Sequence, residues 1–192
     1  MKKLFIIIMT LAAFTLQAQT EKGSIYFTGD ANLSFVGSAA EVSDLDVETT
    51  VGTFAFKPSF NYFIIDNLSL GLGLEIASSA TEVESGGVKT ESESATFAIM
   101  PKARYFFGSS NTRPYLGLGL GLMSTSTGDE DYEKWSGFAL GLDGGVAIFL
   151  NDSVALNLGV AFSSANMKNK EDSDFEMDAG GFGLTLGFNV FL

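Results

Sequence analysis

Hydrophobic and polar residues alternate with a period of two through eight separate segments of the chain. In the segment 68–77, leucine or isoleucine takes every second position, and serine, glycine, glutamate and alanine fill the positions between. A period of two is typical of a β-strand, whose successive side chains point to opposite faces of a sheet. The predicted strands are 25–35, 54–64, 68–77, 95–107, 115–122, 138–150, 154–162 and 182–192.

The sizes of the residues on the two faces indicate which face points inward. The apolar face carries many Phe and Leu side chains, whereas the other face is mostly Gly, Ala, Ser, Thr and Asn. The lumen of an eight-stranded barrel is only just wide enough for side chains, so the bulky face must contact lipid. Strands of about nine to eleven residues cross a bilayer when tilted, and closure pairs every backbone group. The pattern therefore predicts an all-β fold, an eight-stranded antiparallel up-and-down transmembrane β-barrel.

The first 18 residues have the pattern of a secretory signal peptide. Lys2 and Lys3 precede an apolar run over 4–14, and a short polar stretch follows, ending near Ala18. The run is too short for a transmembrane helix, which needs about 20 apolar residues. We therefore expect residues 1–18 to be removed on export and residues 19–192 to form the barrel domain. The chain has no Cys, which excludes disulfides and a lipid anchor on an N-terminal cysteine.

Acidic residues dominate the charge of the chain and cluster between the predicted strands. Removal of the signal peptide leaves nine basic and 23 acidic residues, a formal charge of −14, which argues against nucleic acid as a partner. Most of the acids fall in four segments, 41–48, 82–93, 129–133 and 171–178. These segments predict long acidic loops, whereas the connections 66–67, 108–113 and 151–152 are short. Because outer-membrane barrels have long outer loops and short periplasmic turns, we expect the acidic loops outside and both termini in the periplasm.

The C-terminus carries the most specific local motif. Thr185, Gly187, Val190 and Leu192 form a polar, glycine, apolar, apolar series that looks like the β-signal read by the barrel-assembly machinery. The segment 101–107 followed by 113–117 also looks like a recurrent strand–turn–strand stretch. On these residues the mature chain resembles the small outer-membrane β-barrel proteins of Gram-negative bacteria, which include OmpA, OmpX and OmpW. The resemblance implies assembly by that machinery and outer-membrane lipid as the surrounding partner, although Leu192 replaces the usual terminal Phe.

Six charged residues lie on the inward face among otherwise small side chains. They are Asp30, Lys57, Glu75, Lys102, Arg104 and Asp143. If Phe63 pairs with Ser69 across the turn at 66–67, the same register sets Lys57 opposite Glu75 and predicts a cross-strand ion pair. Because lone charges in a narrow lumen are costly, we favour a balanced network that joins neighbouring strands and blocks ion flow. The alternative is that Lys102 and Arg104, left unbalanced, bias a pore towards anions.

Aromatic residues also have inward parity near the predicted periplasmic end. They are Tyr26, Phe63, Phe106, Tyr115, Phe149 and Phe191. These six predict an aromatic plug, and the alternative is that fraying or bulges turn some rings outward to join the interfacial aromatic girdle. Pro58 and Pro101 lie mid-strand, where proline removes a donor from the ladder, and they predict a bulge at each site.

The residues argue against enzymatic chemistry. The chain has no His, which excludes Ser–His catalysis and His–metal sites. The acidic run 128–133 lacks the spaced ligands and central Gly of an EF-hand, and the Gly-Leu repeats lie within strands, so we expect no metal and no cofactor. Three functions remain. We favour a structural or surface-interaction role with the acidic loops exposed outside. The alternatives are a small porin or OmpW-like passage for small or apolar molecules, and an adhesin or receptor acting through its loops.

Overall fold

The computed structural model describes residues 20–42, 45–85, 87–128, 133–170 and 176–192, so the predicted signal peptide lies outside the described residues. The strands are β1 (Ile25–Val42), β2 (Leu45–Ile65), β3 (Leu68–Ser85), β4 (Val88–Phe106), β5 (Thr112–Thr127), β6 (Glu133–Phe149), β7 (Val154–Asn169) and β8 (Glu176–Phe191). Each strand pairs antiparallel with the next, and β8 pairs with β1 to close the barrel. The predicted fold class and strand order are confirmed. Within the described ranges, no helix is long and apolar enough to cross a membrane.

A belt of large apolar side chains surrounds the barrel. On β3 the outward residues from Leu70 to Ile76 are all aliphatic and exposed, and Leu72 at the centre is 46% exposed. Near the C-terminus the exposed apolar residues of the belt run from Phe182 to Leu192, eleven residues. A tilted strand needs about nine to eleven residues to cross the hydrocarbon layer. Aromatic side chains lie at both borders of the belt, with Phe97 at one border and Tyr105 at the other. This arrangement is typical of a lipid-facing surface.

The strands continue beyond the belt, and this corrects the prediction of long acidic loops. They are 16 to 21 residues long, and only residues 86–87 separate β3 from β4, with Gly87 at a φ of +80°. The acidic residues of 82–93 therefore lie in strands. Both faces of these extensions are largely polar or small, so no hydrophobic period marks them in the sequence. We call this side the hairpin end, and the side with the short turns at 66–67, 107–111 and 150–153 the turn end.

In the other three acidic segments, the acidic residues that the structure describes also lie in strands rather than in loops. Glu41, Asp46, Glu48, Glu133, Glu176 and Asp178 also belong to strands. Seven of the predicted loop acids lie outside the described residues: Asp44, Asp129, Glu130, Asp131, Glu171, Asp172 and Asp174.

Pro58 and Pro101 interrupt ladders without shifting the register, so the prediction of a bulge at each site is wrong. The pairs on both sides of each gap keep one register, between β2 and β3 at Pro58 and between β4 and β5 at Pro101. Each proline still aligns with its other neighbour, Pro58 with Gly29 and Pro101 with Leu72. Proline lacks the backbone N–H but keeps an extended φ, so one side of the ladder is lost and the strand continues.

The seam between β1 and β8 is the shortest pairing of the barrel. It runs from the pair Tyr26–Phe191 to the pair Leu33–Leu184. Towards the hairpin end, the described parts of both strands pair only with their other neighbours. The seam therefore leaves two strand edges unpaired at the hairpin end of the apolar belt.

Candidate functional site

The hairpin half of the lumen is a vestibule of about 570 Å³. Hydroxyl groups of β2 to β5 line one wall, where Thr53 lies 2.9 Å from Ser79 and Thr96 lies 2.9 Å from Thr125 between their side-chain oxygens. Small and apolar residues line the opposite wall, which includes Ala165, Met167 and Met177. Met123 and Trp135 pack against this second wall. The vestibule thus has one hydroxyl wall and one methionine wall.

An ion pair forms the floor of the vestibule. Lys57 Nζ lies 3.1 Å from Glu75 Oε1, and both side chains are partly buried. Phe63 pairs with Ser69 in the register on which this contact was predicted. Lys57 and Glu75 also line a smaller cavity of about 60 Å³ on the side towards the turn end. The pair therefore separates two connected spaces in the lumen.

Arg104 crosses the lumen below this cavity and joins three strands. Its Nη2 donates to Asp143 Oδ2 at 2.6 Å and to Asp30 Oδ2 at 3.3 Å, and the Arg104 side chain is only 3% exposed. The guanidinium also lies over the Tyr115 ring, 4.5 Å from its centroid. Because Asp30 is on β1, Arg104 on β4 and Asp143 on β6, these contacts hold opposite sides of the barrel together. We call Arg104, Asp30 and Asp143 the arginine clamp.

Two inward glycines make room for the carboxylates of the arginine clamp. A Cβ added at Gly117 would lie 2.3 Å from Asp143 Oδ1, and a Cβ added at Gly187 would lie 2.2 Å from Asp30 Oδ1. A side chain at either position would therefore displace a carboxylate of the clamp. The glycine-rich inner face is therefore shaped around the clamp.

Lys102 differs from the other five predicted lumenal charges because it forms no ion pair with any described residue. It lines the 60 Å³ cavity together with Arg104. Among the described residues, its ammonium has no hydrogen-bond or ion-pair partner, whereas the remaining charges form the two groups above. The structure therefore brings all six charges to the lining of one cavity and pairs five of them with one another.

The six aromatic residues form one buried cluster at the turn end of the lumen. None is more than 7% exposed, and Ala147 and Ala155 complete the cluster. The Tyr26 ring is central, with centroids 5.1 Å from Phe63, 5.2 Å from Phe191 and 5.9 Å from Phe106. These separations suit favourable aromatic pairs. The cluster fills the cross-section of the barrel beneath the arginine clamp.

A layer of buried amides between the clamp and the cluster was missed by the sequence reasoning. Asn157 and Asn189 exchange two hydrogen bonds of 2.8 and 2.9 Å, and Asn157 also donates to Asp30 Oδ1 at 3.1 Å. Thr28 donates to Asn189 Oδ1 at 2.8 Å. The inward face is already rich in small polar residues, so nothing in the sequence distinguishes these amides from their neighbours. Their inward parity was the only sign that they enter the lumen.

Thr20 closes the turn end, and the sequence reasoning missed this contact as well. Its hydroxyl accepts a hydrogen bond of 2.6 Å from Arg113 Nη1 and donates one of 2.6 Å to Asn67 Oδ1. The backbone N–H of Asn67 donates to Thr20 O at 2.7 Å. Arg113 also lies over the Phe149 ring, 4.4 Å from its centroid. We call Thr20, Asn67 and Arg113 the turn-end lock.

The predicted assembly signal lies on β8, the strand that closes the barrel. Thr185 and Gly187 point inward, where Thr185 lines the 60 Å³ cavity. Val190 and Leu192 point to the lipid side and are 41% and 43% exposed. The placement is compatible with the motif, and its reading by the assembly machinery stays a prediction.

The described residues contain no group of three Asp, Glu, His or Cys side chains placed to hold a metal ion. Most of the acidic run 128–133 lies outside that part of the chain.

Comparison with known proteins identifies the family. The sequence model of the "Outer membrane protein beta-barrel domain" matches residues 5–189. The chain belongs to this family. As an outer membrane protein beta-barrel, it resides in the outer membrane of a Gram-negative bacterium, so its apolar belt contacts lipid.

Solved structures show the same fold. Neisserial surface protein A is 19% identical, with a TM-score of 0.60 over 88% of this chain and 99% of that chain. OprG from Pseudomonas aeruginosa is 16% identical, with a TM-score of 0.58 over 92% and 99%. The outer membrane protein AlkL is 16% identical, with a TM-score of 0.56 over 93% and 94%. No functionally curated sequence matches the chain.

Proposed function

We propose that this protein is a closed, non-enzymatic barrel with a structural role in the outer membrane and a surface-interaction role at its hairpin end. The observation that carries the proposal is the closure of the lumen in three layers, which are the arginine clamp, the aromatic cluster and the turn-end lock. Each layer is largely buried and is held by contacts between residues that lie far apart in the sequence. Protein atoms therefore fill the turn half of the lumen, where a pore would need water.

The hairpin of β3 and β4 supports the surface role. Glu82 is directly opposite Glu91 in the register, a like-charge pair that costs stability in a sheet. Lys89 contacts Glu82 and lies 3.4 Å from Glu84, and the hydrogen bond with Glu82 raises the pKa of Lys89. One lysine leaves most of the acidic charge of this hairpin uncompensated. A basic partner outside the cell would relieve the repulsion.

Conductance of the refolded protein tests the closure. We expect no single-channel openings from the wild type in a planar bilayer, and none from Glu75→Gln, because the three layers below the Lys57–Glu75 pair remain. Glu75→Gln should lower the free energy of unfolding by about 1 kcal/mol, the scale of a partly exposed ion pair. Glu84→Gln, which removes the same charge outside the belt, is the matched control. Steady ion-selective openings of the folded wild type would instead identify a small porin.

Shortening the β3–β4 hairpin tests the surface role. In the shortened variant, Asn-Gly replaces residues 80–93 and joins Ser79 to Ser94, which are partners in the register. We expect this variant to fold, because its apolar belt is unchanged. In a strain lacking the protein, the full-length protein and the shortened variant should both restore resistance of the envelope to detergent. Only the full chain should restore attachment to surfaces. Equal attachment with the two chains would show that this hairpin has no role in binding.

A second candidate function is passage of apolar molecules from the vestibule into the bilayer. The open seam favours it, since β1 and β8 stop pairing at Leu33–Leu184 and the side chains of Phe182 and Leu184 are 76% and 71% exposed there. The methionine wall of the vestibule offers an apolar surface towards this seam. Faster entry of an apolar fluorescent dye into cells that carry the protein, without ion conductance, would favour this function over a purely closed barrel.

A further inference from the structure

We propose that the 60 Å³ cavity between the vestibule and the arginine clamp binds the carboxylate group of a small molecule that enters from outside. All six lumenal charges line the cavity: the cations Lys57, Lys102 and Arg104 and the carboxylates Asp30, Glu75 and Asp143. The inference goes beyond the proposed function, since it needs only a vestibule open at the hairpin end and no partner of the hairpins.

Two of the residues that line this cavity, Arg104 and Lys102, carry hydrogen-bond donors that have no partner within the described part of the chain. Among the described residues, Arg104 Nε and Nη1 are buried and have no hydrogen-bond partner, because both carboxylates of the clamp contact Nη2. Lys102 adds an ammonium that has no partner among the described residues. The Tyr115 ring covers a face of the guanidinium but accepts none of its in-plane hydrogen bonds. Buried donors of this kind are costly unless an acceptor pairs with them, and the carboxylates of Asp30, Glu75 and Asp143, which also line the cavity, leave these donors unpaired.

The chemistry of the donors favours a carboxylate. A guanidinium edge and an ammonium are the groups that bind planar oxyanions through charge-assisted hydrogen bonds. The six lumenal charges sum to zero, three acidic and three basic, and Asp30 and Asp143 lie next to Arg104. A dianion such as phosphate would be repelled more strongly by these carboxylates than a monoanion. A carboxylate therefore satisfies the donors at the lower electrostatic cost.

The space available decides the size of the ligand. The small cavity holds a head group, and it shares Lys57, Glu75 and Met123 with the vestibule above. The vestibule of about 570 Å³ is within the range of small-molecule sites and would hold the body of the ligand between its hydroxyl and methionine walls. The clamp and the aromatic cluster close the other side, so the ligand binds at a dead end and is not transported through the barrel.

Benzoate is a suitable probe, and benzyl alcohol is its counterpart without the carboxylate. Trp135 is the only tryptophan of the chain and packs against the methionine wall, so its fluorescence reports on the vestibule. We expect saturable one-to-one binding of benzoate to the refolded protein by titration calorimetry, with a change in Trp135 fluorescence. Benzyl alcohol should give neither signal.

Lys102→Met should weaken benzoate binding by about tenfold or more, as expected for loss of a charged hydrogen bond. Lys89→Met, which removes an exposed lysine of the β3–β4 hairpin, is the matched control and should leave the affinity unchanged. Circular dichroism checks that both variants fold. Should Lys102→Met fail to fold, the Arg104 Nε–H resonance of the wild type should still shift on addition of benzoate.

Absence of saturable binding by the wild type would overturn the proposal and leave water as the occupant, since the cavity is large enough for ordered water. Equal weakening in Lys102→Met and Lys89→Met would overturn it too, because it would show general attraction of the anion to the protein. Equal binding of benzyl alcohol would also contradict it, because the body of the probe and not its carboxylate would then be recognised.

Discussion

Replacing Arg104 with methionine should lower the free energy of unfolding by about 3–5 kcal/mol, the scale expected when one partner of a buried ion pair is removed. Asp30 would remain buried, and Asp143 partly buried with a side chain 16% exposed, without the cation that they share. Asn157 would still donate to Asp30, whereas Asp143 has no second side-chain donor within the described part of the chain. The measurement is urea-induced unfolding in phospholipid vesicles, followed by Trp135 fluorescence.

A triple variant separates charge from packing in this prediction. Asp30→Asn and Asp143→Asn, combined with Arg104→Met, remove the whole clamp and leave no uncompensated charge from it. Replacing a buried ionic group in full is often close to neutral, so most of the lost stability should return. If the triple variant were as unstable as Arg104→Met alone, packing of the arginine stem and not its charge would explain the loss.

Replacing Leu72 with arginine should destabilise the folded barrel by about 2–4 kcal/mol, because Leu72 lies at the centre of the lipid-facing belt and a charge there must enter hydrocarbon. Unfolding in vesicles measures this cost. Ala80→Arg is the matched control, since Ala80 points outward on the same strand beyond the belt. The cost at position 80 should be about 0–1 kcal/mol. A negligible effect at Leu72 would mean that the apolar face does not contact lipid.

Leu72→Arg and Arg104→Met test interactions of different origin, the first with the bilayer and the second inside the lumen. The cost at Leu72 depends on the bilayer and should fall when the protein is unfolded from detergent micelles, where water is closer to the belt. The cost at Arg104 depends on contacts inside the lumen and should persist in micelles. Stability measured in both environments therefore distinguishes the lipid face from the lumen.

Local features explain why much of the fold was predictable. The bilayer requires large apolar residues on one face and a narrow lumen requires small residues on the other, so every spanning strand carries a period of two. A short turn fixes the register of a hairpin, which is why the Lys57–Glu75 contact followed from pairing Phe63 with Ser69. Beyond the belt both faces are polar or small, and the strand extensions were consequently misread as loops.

Contacts across the lumen were not predictable in the same way. The sequence named Asp30, Arg104 and Asp143 as inward charges but did not pair them, because they lie on β1, β4 and β6, which share no ladder. The turn-end lock likewise joins Thr20 to Arg113 over 93 positions. Such pairs depend on the diameter of the closed barrel and on the stagger of its strands.

The sequence by itself determined that the chain forms eight strands, which of their faces meets lipid, and which residues enter the lumen, because the bilayer and the narrow interior impose these properties position by position. Only the tertiary structure decided that Arg104 is held by two carboxylates, that Lys102 has no partner among the described residues although it lines a cavity, and that Thr20 locks the turn end. The physical reason is closure, since joining β8 to β1 sets the distances between residues on opposite walls.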